Sequence, residues 1–361
     1  MKDISTSMTL NMKQVRDLVN ASIAIKQPLM IWGPPGIGKS DVVAQVAKEL
    51  GRELIDIRLP NYEPTDIKGI PFYNPQSNLM EWGPASELPQ DPNSNAVLFL
   101  DEINGADENV QGAAYQLILN RRIGQYELPE NVVVIAAGNR DGDGGVTYRM
   151  PKPLANRFTH AEAAPDFDSW KSWAVRNEIH PDVVGYLEVN KQDLFDFSSK
   201  SSSYAFATPR SWSFVSKSLK SNFNEDTSRN LVIGSIGEGI GIKFNAFRKM
   251  TSKLPSPEDV LFNKADDLNS DTEVSAMYAL STSLCYELKL QEKKDDSNMN
   301  TLIDNFLFYL MRNFKTEIAV TSVRSAIRDH EIEFDPSKLK AFDQFQEKYG
   351  KQIFSALGIT R

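Results

Sequence analysis

Cysteine occurs once in the 361 residues, at Cys285, and histidine three times, at His160, His180 and His330. A single thiol closes no internal disulfide, and none of the histidines has a second ligand-type residue at metal-binding spacing. Cys285 lies in ALSTSLCYELKL, whose apolar spacing reads as a packed helix, and the histidines read as satisfied or exposed side chains. No run of about 18 apolar residues exists to span a bilayer. The opening MKDISTSMTLNMKQV lacks the basic segment and apolar core of a signal peptide, so no membrane is implied and the cytoplasm is the expected compartment. Positive charge is also in deficit. With a formal net charge of −8, the chain is a poor match for a large nucleic-acid footprint, which depends on clustered Lys and Arg.

The length points to two or three domains, and 41% hydrophobic with 24% charged residues is a globular composition. Through about residue 165, short apolar runs alternate with helical periodicity, the pattern of parallel strands joined by crossover helices. PLMIWG, ELIDIRLP, AVLFLDEI and VVVIAAGN read as strands. DVVAQVAKEL and ENVQGAAYQLILN read as helices, with TLNMKQVRDLVNASIAIK as a helix before the first strand. The expected fold is a three-layer α/β domain around a parallel sheet. After Pro165 the strand signals fade, and DSWKSWAVRNEIHPDVVGYLEVN and RSWSFVSKSLK show the three- and four-residue spacing of helices. The serine-rich FSSKSSSYAFATPR reads as a surface loop, KLPSPEDVL as a proline-marked break, and two further helical stretches close the chain.

Chemistry concentrates in GPPGIGKS, residues Gly33, Pro34, Pro35, Gly36, Ile37, Gly38, Lys39 and Ser40. The spacing G-x-x-x-x-G-K-[ST] between an apolar strand and an amphipathic helix is that of a phosphate-binding loop. The glycines let backbone amides turn inward around an anion at a helix N-terminus, Lys39 reaches the β- and γ-phosphates, and Ser40 offers a hydroxyl to Mg²⁺. A Gly-rich turn with an incidental lysine would not need this order. In AVLFLDEIN a buried strand delivers Asp101 and Glu102 to its carboxyl end, where ligands bind in open α/β sheets. Asp101 suits the metal through water, and Glu102 suits the attacking water as a base. Asn139 ends VVVIAAGN at the same edge; an amide there can position water without adding charge, although asparagine at a strand end is also a common turn former.

Taken in order, WGPPGIGKS, LFLDEIN, AAGNRD, PLANRF and TPRSW resemble the AAA+ ATPases, most closely the MoxR-like branch with its CbbQ and NorQ type proteins and related phage ATPases. The likeness covers residues 10–250. It implies a nucleotide-binding core over 1–165, a helical lid over 166–255 and, beyond the family pattern, a helical C-terminal extension over 256–361. It implies ATP and Mg²⁺ as cofactors, Asn139 as the sensor 1 residue, Arg157 as an arginine finger serving a neighbouring subunit, and Arg210 as the sensor 2 residue of the lid. Arg121 and Arg122 remain open as alternatives to Arg157. The resemblance further implies a homo-oligomeric, hexameric ring acting on a protein client, with a von Willebrand A domain protein as the partner type. TDIKGIPFYNPQSNLMEWGPASELP and RRIGQYELPENVVVIAA match the branch's extra hairpins, with Lys68, Ile70, Phe72 and Tyr73 as client contacts. Two other classes stand beside this reading. A nucleic-acid motor or loader is opposed by the acidic balance, and a nucleotide-gated scaffold by the intact Glu102, Asn139 and Arg157.

Overall fold

The computed structural model describes residues 9–140, 142–143, 147–198, 203–221, 223–294 and 296–357. The first eight residues, Asp141 of AAGNRD and residues 199–202 of the serine-rich stretch lie outside the described residues. After Asp166 the chain passes from one compact unit to a second.

In the first unit the order is β1 (Thr9–Leu10), α1 (Met12–Ile25), β2 (Leu29–Trp32), α2 (Lys39–Glu49), β3 (Leu54–Arg58), α3 (Pro64–Lys68), β4 (Ile70–Asn74), β5 (Leu79–Gly83), β6 (Val97–Asp101), α4 (Glu108–Asn120), β7 (Arg122–Ile123), β8 (Tyr126–Glu127), β9 (Val133–Gly138), α5 (Lys152–Ala155) and β10 (Thr159–Ala163). Six strands form one sheet in the order β1-β10-β2-β9-β6-β3, and every pairing in it is parallel. All of β6 and β9 is buried, as expected of a parallel sheet covered on both faces. Alternation along the strands divides the core. Met30, Leu98, Leu100, Val134 and Ala136 pack with Val110, Ala113, Ala114 and Leu117 of α4, while α1 and α2 lie against the strands of the same sheet. This is the three-layer α/β architecture expected, built on a parallel sheet.

Three details depart from expectation. Thr9 and Leu10 do not extend α1; they pair with Glu162 and Ala163, because the capping box of Asn11 with Gln14 starts the helix after them. The strand β10 was not among those expected from sequence, since THAEA mixes polar and small residues and only Ala161 and Ala163 are buried. KLPSPEDVL is only partly a break, for Pro257 is the first residue of a helix.

The second unit is helical among its described residues. It contains α6 (Phe167–Arg176), α7 (Pro181–Val189), α8 (Pro209–Leu219), α9 (Glu225–Ile236), α10 (Glu238–Thr251), α11 (Pro257–Leu261), α12 (Val274–Lys294), α13 (Met299–Asn313), α14 (Thr316–Arg328) and α15 (Phe342–Leu357). Two cores run through it. Tyr186, Trp212, Phe244 and Phe247 centre the first, with Trp212 Nε1 donating to the Asp193 carbonyl at 2.9 Å; Leu284, Phe306, Leu310 and Phe345 belong to the second. Helix α12 serves both, and Gly185 of α7 allows the close crossing: a Cβ there would lie 2.9 Å from Ala279 Cα.

Cys285 is fully buried, as expected for packing, and burial pushes its thiol up to about 12, so it stays protonated and inert. His160 is satisfied, accepting from Trp32 Nε1 at Nδ1 (2.9 Å) and facing the Ala155 carbonyl with Nε2 (2.8 Å). His180 accepts at Nδ1 from the Asp182 amide. His330 corrects the expectation, being neither exposed nor satisfied. It is 3% exposed, stacks edge-on against Tyr286 at 4.7 Å, and among the described residues has no hydrogen-bond partner at either ring nitrogen. Burial pushes its pKa down to about 4, so the ring stays neutral. Among the described residues no cluster of three or more His, Cys, Asp or Glu could hold a metal ion. None of their helices is long and apolar enough to cross a membrane.

Candidate nucleotide site

The site forms where β2, β6 and β9, adjacent in the sheet, end on the same edge. Beyond Trp32 the chain enters the glycine loop. Gly36 (φ 75°) and Gly38 (φ 99°) adopt left-handed backbone that L side chains rarely occupy. Gly38 is also the N-cap of α2, and no side chain caps that helix, so its N-terminus is of the kind that an anion can cap. A Cβ at Gly38 would find only Asp41 Oδ2 within 4 Å, at 3.9 Å, so the space before the helix is open. At Gly33 the constraint is different: a Cβ would strike the Ala163 carbonyl at 2.7 Å, so the loop root lies tight against β10.

Four of the expected site residues converge here. Ser40 Oγ donates to Asp101 Oδ2 at 2.9 Å. Lys39 Nζ donates to the Gly33 carbonyl (2.6 Å), the Pro34 carbonyl (3.0 Å) and Asn139 Oδ1 (3.1 Å). Asp101 is 4% exposed and is gripped from two sides, by the Glu102 amide at Oδ1 (2.9 Å) and by Ser40 at Oδ2. Glu102 follows in the left-handed region (φ 53°, ψ 37°), a conformation that costs about 1 kcal/mol or more and turns the chain sharply off the strand. Asn139 is the first residue past β9. The arrangement is one that a hard cation and a phosphate would fit: hydroxyl and carboxylate oxygens side by side, and a lysine at a helix N-terminus that no side chain caps.

Arg157 stands apart on the surface. Leu154 and Phe158, both buried, anchor the turn after α5 on either side of it, and its carbonyl accepts from Gln27 Nε2 at 3.4 Å. Its guanidinium is exposed and joins no ion pair among the described residues. Arg121, left open as an alternative, is engaged in structure: its Nη2 donates to the Pro129 and Val132 carbonyls at 2.6 and 2.9 Å, holding the connection from β8 to β9. Arg122 lies exposed on β7. Arg210 belongs to the second unit, where it is the second residue of α8 and exposed, behind the capping box of Thr208 and Ser211.

Two residues of this edge were not expected from sequence. Arg58 Nη2, at the end of β3, lies 3.5 Å from Asp101 Oδ2. Asn104, 3% exposed, donates from Nδ2 to the Asn139 carbonyl (2.7 Å) and accepts the Asn139 amide at Oδ1 (3.2 Å). Both expected hairpins are present, β4 with β5 and β7 with β8. They adjoin: the Trp82 amide donates to Gln125 Oε1 at 3.4 Å. Ile70, Phe72, Tyr73, Leu79 and Met80 are 47–68% exposed on the first hairpin.

Comparison with known proteins agrees with the geometry. Residues 28–158, which contain the loop, the acidic strand end and Asn139, match the family described as AAA domain (dynein-related subfamily). Over those residues the chain is similar to an AAA+ ATPase domain. Over 178 residues it is 26% identical to midasin of Giardia intestinalis, an alignment covering 46% of this chain and 4% of that protein. It is 28% identical to midasin of Dictyostelium discoideum over 149 residues (37% and 2%) and 27% identical to Lon protease of Campylobacter jejuni over 169 residues (43% and 20%). The chain therefore spans a small part of these relatives' length. Among solved structures it is similar to the RuvB Holliday junction branch migration motor of Thermotoga maritima (15% identity, TM-score 0.33, covering 94% of this chain and 87% of that one). It is also similar to NtrX of Brucella abortus (13%, TM-score 0.34, 88% and 68%).

Proposed function

We propose that the chain is a subunit of an Mg²⁺-dependent, ATP-hydrolysing ring of the MoxR type, hexameric and cytoplasmic, that remodels a protein partner. The observation that carries this reading is the meeting of Lys39, Ser40, Asp101 and Asn139 before one uncapped helix N-terminus. Ser40 Oγ and Asp101 are the donors that would hold Mg²⁺, which supplies charge neutralisation at the phosphates. Lys39 exchanges its loop carbonyls and Asn139 for phosphate oxygens. Glu102, turned off the strand by its left-handed backbone, takes a proton from the attacking water, while the Asn139 amide holds that water in line. Little covalent chemistry is asked of the protein; positioning and charge supply most of the effect.

Arg157 completes the reading as a finger supplied to the neighbour's nucleotide, and Arg210 reaches the nucleotide from a lid over 166–255, with 256–361 as an extension beyond it. A von Willebrand A domain protein is the partner type in this scheme. The exposed hairpin β4–β5 is the client contact, through Lys68, Ile70, Phe72, Tyr73 and their neighbours, since its apolar side chains find no core within the unit. Deleting residues 74–80 is expected to leave basal ATP hydrolysis within about twofold and to abolish client stimulation; unchanged remodelling in the shortened protein would overturn this assignment.

The function itself is tested by phosphate release per subunit as protein concentration rises, with and without nucleic acid. A steep rise that is lost in Glu102→Gln, and insensitive to DNA, is expected. Absence of turnover and of assembly at every concentration, with or without a partner, would overturn it. DNA-stimulated, salt-sensitive turnover would favour a nucleic-acid motor.

A further inference from the structure

The polar groups that face the phosphate loop are fixed by strand ends, yet Asn139 lies beyond the last ladder residue of β9 and has no strand partner. What holds it is Asn104. The Asn104 side chain meets both backbone polar groups of Asn139, donating to its carbonyl and accepting its amide, and so replaces the missing strand neighbour. The backbone of Asn104 is itself tied down. Its carbonyl accepts from the Tyr148 amide at 2.7 Å, and the turn that carries it opens with the left-handed Glu102, whose carbonyl accepts from the Gly105 amide at 2.7 Å. Close packing leaves no slack, because a Cβ on Gly138 would come within 2.4 Å of Asn104 Oδ1.

We propose that Asn104 is a positioning residue for ATP hydrolysis: it locks Asn139 to the turn of Glu102, so that the amide aimed at the water and the carboxylate that takes its proton keep one spacing. This rests on the reading of Asn139 and Glu102 given above. The two sites are 35 residues apart in sequence, and the double hydrogen bond is the direct mechanical link between them. Asn104 touches neither nucleotide nor water; its effect runs through the backbone of Asn139 and through the amide that faces Lys39.

Two measurements test this, one of them independent of activity. In backbone hydrogen exchange, Asn104→Ala is expected to raise the rate at the Asn139 amide by tenfold or more while Val134, Ile135 and Ala136 keep their protection. Protection lost evenly along β9, or unchanged at Asn139, overturns the link. In steady-state kinetics, Asn104→Ala is expected to lower kcat by about 100-fold with KM for ATP nearly unchanged, the cost of a misplaced group. In an Asn139→Ala background the same substitution is expected to cost no more than about twofold, because the group it positions is gone. Equal losses in both backgrounds overturn the proposal. If Asn104→Ala fails to fold, Asn104→Asp carries the comparison, since it keeps the size and the acceptor for the Asn139 amide and replaces the donor with a carboxylate oxygen set against the Asn139 carbonyl. An exchange effect with no ATP hydrolysis in the parent protein would refute the functional reading and leave the link standing.

Discussion

Mixing Arg157→Ala protein with Glu102→Gln protein is expected to restore ATP hydrolysis that neither has alone. Arg157→Ala by itself should lose about 10³–10⁵ in kcat, the usual effect of removing an arginine finger. Glu102→Gln should lose about 10²–10⁴ by losing its base. In the proposed ring, the first variant keeps a complete loop, metal pair and base but presents no guanidinium to its neighbour. The second presents the guanidinium and has a dead site. Where an Arg157→Ala site faces a Glu102→Gln subunit, a working site is assembled; random mixing of equal amounts gives roughly a quarter of sites that arrangement, assuming a closed ring. The structure motivates the test because Arg157 is exposed between two buried anchors and joins no ion pair among the described residues. Mixing that restores nothing would mean that Arg157 serves its own subunit or none. Arg157→Lys should rescue little, since an ammonium lacks the planar fork that spans two phosphate oxygens.

The part of the site that could be read from sequence is the part with local constraints. Glycines at fixed offsets before a lysine and a hydroxyl state a backbone shape directly, and two acids after five apolar residues state a buried strand with a wet end. The structure brings Ser40 to 2.9 Å from Asp101 and Lys39 to 3.1 Å from Asn139. Asn104 and Arg58 escaped because their partners are distant in sequence. An asparagine two residues after Glu102 looks like a turn former, and nothing in the chain marks it as the neighbour of residue 139. Arg58 reads as the polar end of an edge strand until the pairing of β3 with β6 sets it across from Asp101.

The fold divides similarly. The strands made of consecutive apolar residues were legible, because burial on both faces leaves no other composition. β10 was not, since two alanines carry its buried face and its remaining positions are polar. In the second unit, periodicity marks the helices but says nothing of which faces meet. The crossing of α7 and α12 depends on one missing side chain at Gly185, and no periodic signal announces it. Nor does any motif announce His330, whose burial is set by helices far from it in sequence.

A buried charge cluster in that unit supplies the largest expected effect on stability. Lys171 of α6 is 9% exposed and meets Glu188 of α7 at 2.9 Å and Asp329, just past α14, at 3.4 Å. Burial works against its charge, but the two carboxylates outweigh it and hold its pKa above the ordinary lysine value. Lys171→Met should therefore cost about 3–5 kcal/mol in denaturant unfolding at neutral pH, because it strands two carboxylates in a largely dry setting. The charges need not stabilise the fold in themselves. Replacing all three with apolar residues, Lys171→Met with Glu188→Leu and Asp329→Leu, should recover most of the loss, since desolvation is removed along with attraction. A triple variant as unstable as the single one would show that the ion pairs contribute net stability here. Full recovery would place their value in specificity: the cluster joins the helices of the first core to the end of α14, and an apolar set at the same positions would no longer dictate which ends meet.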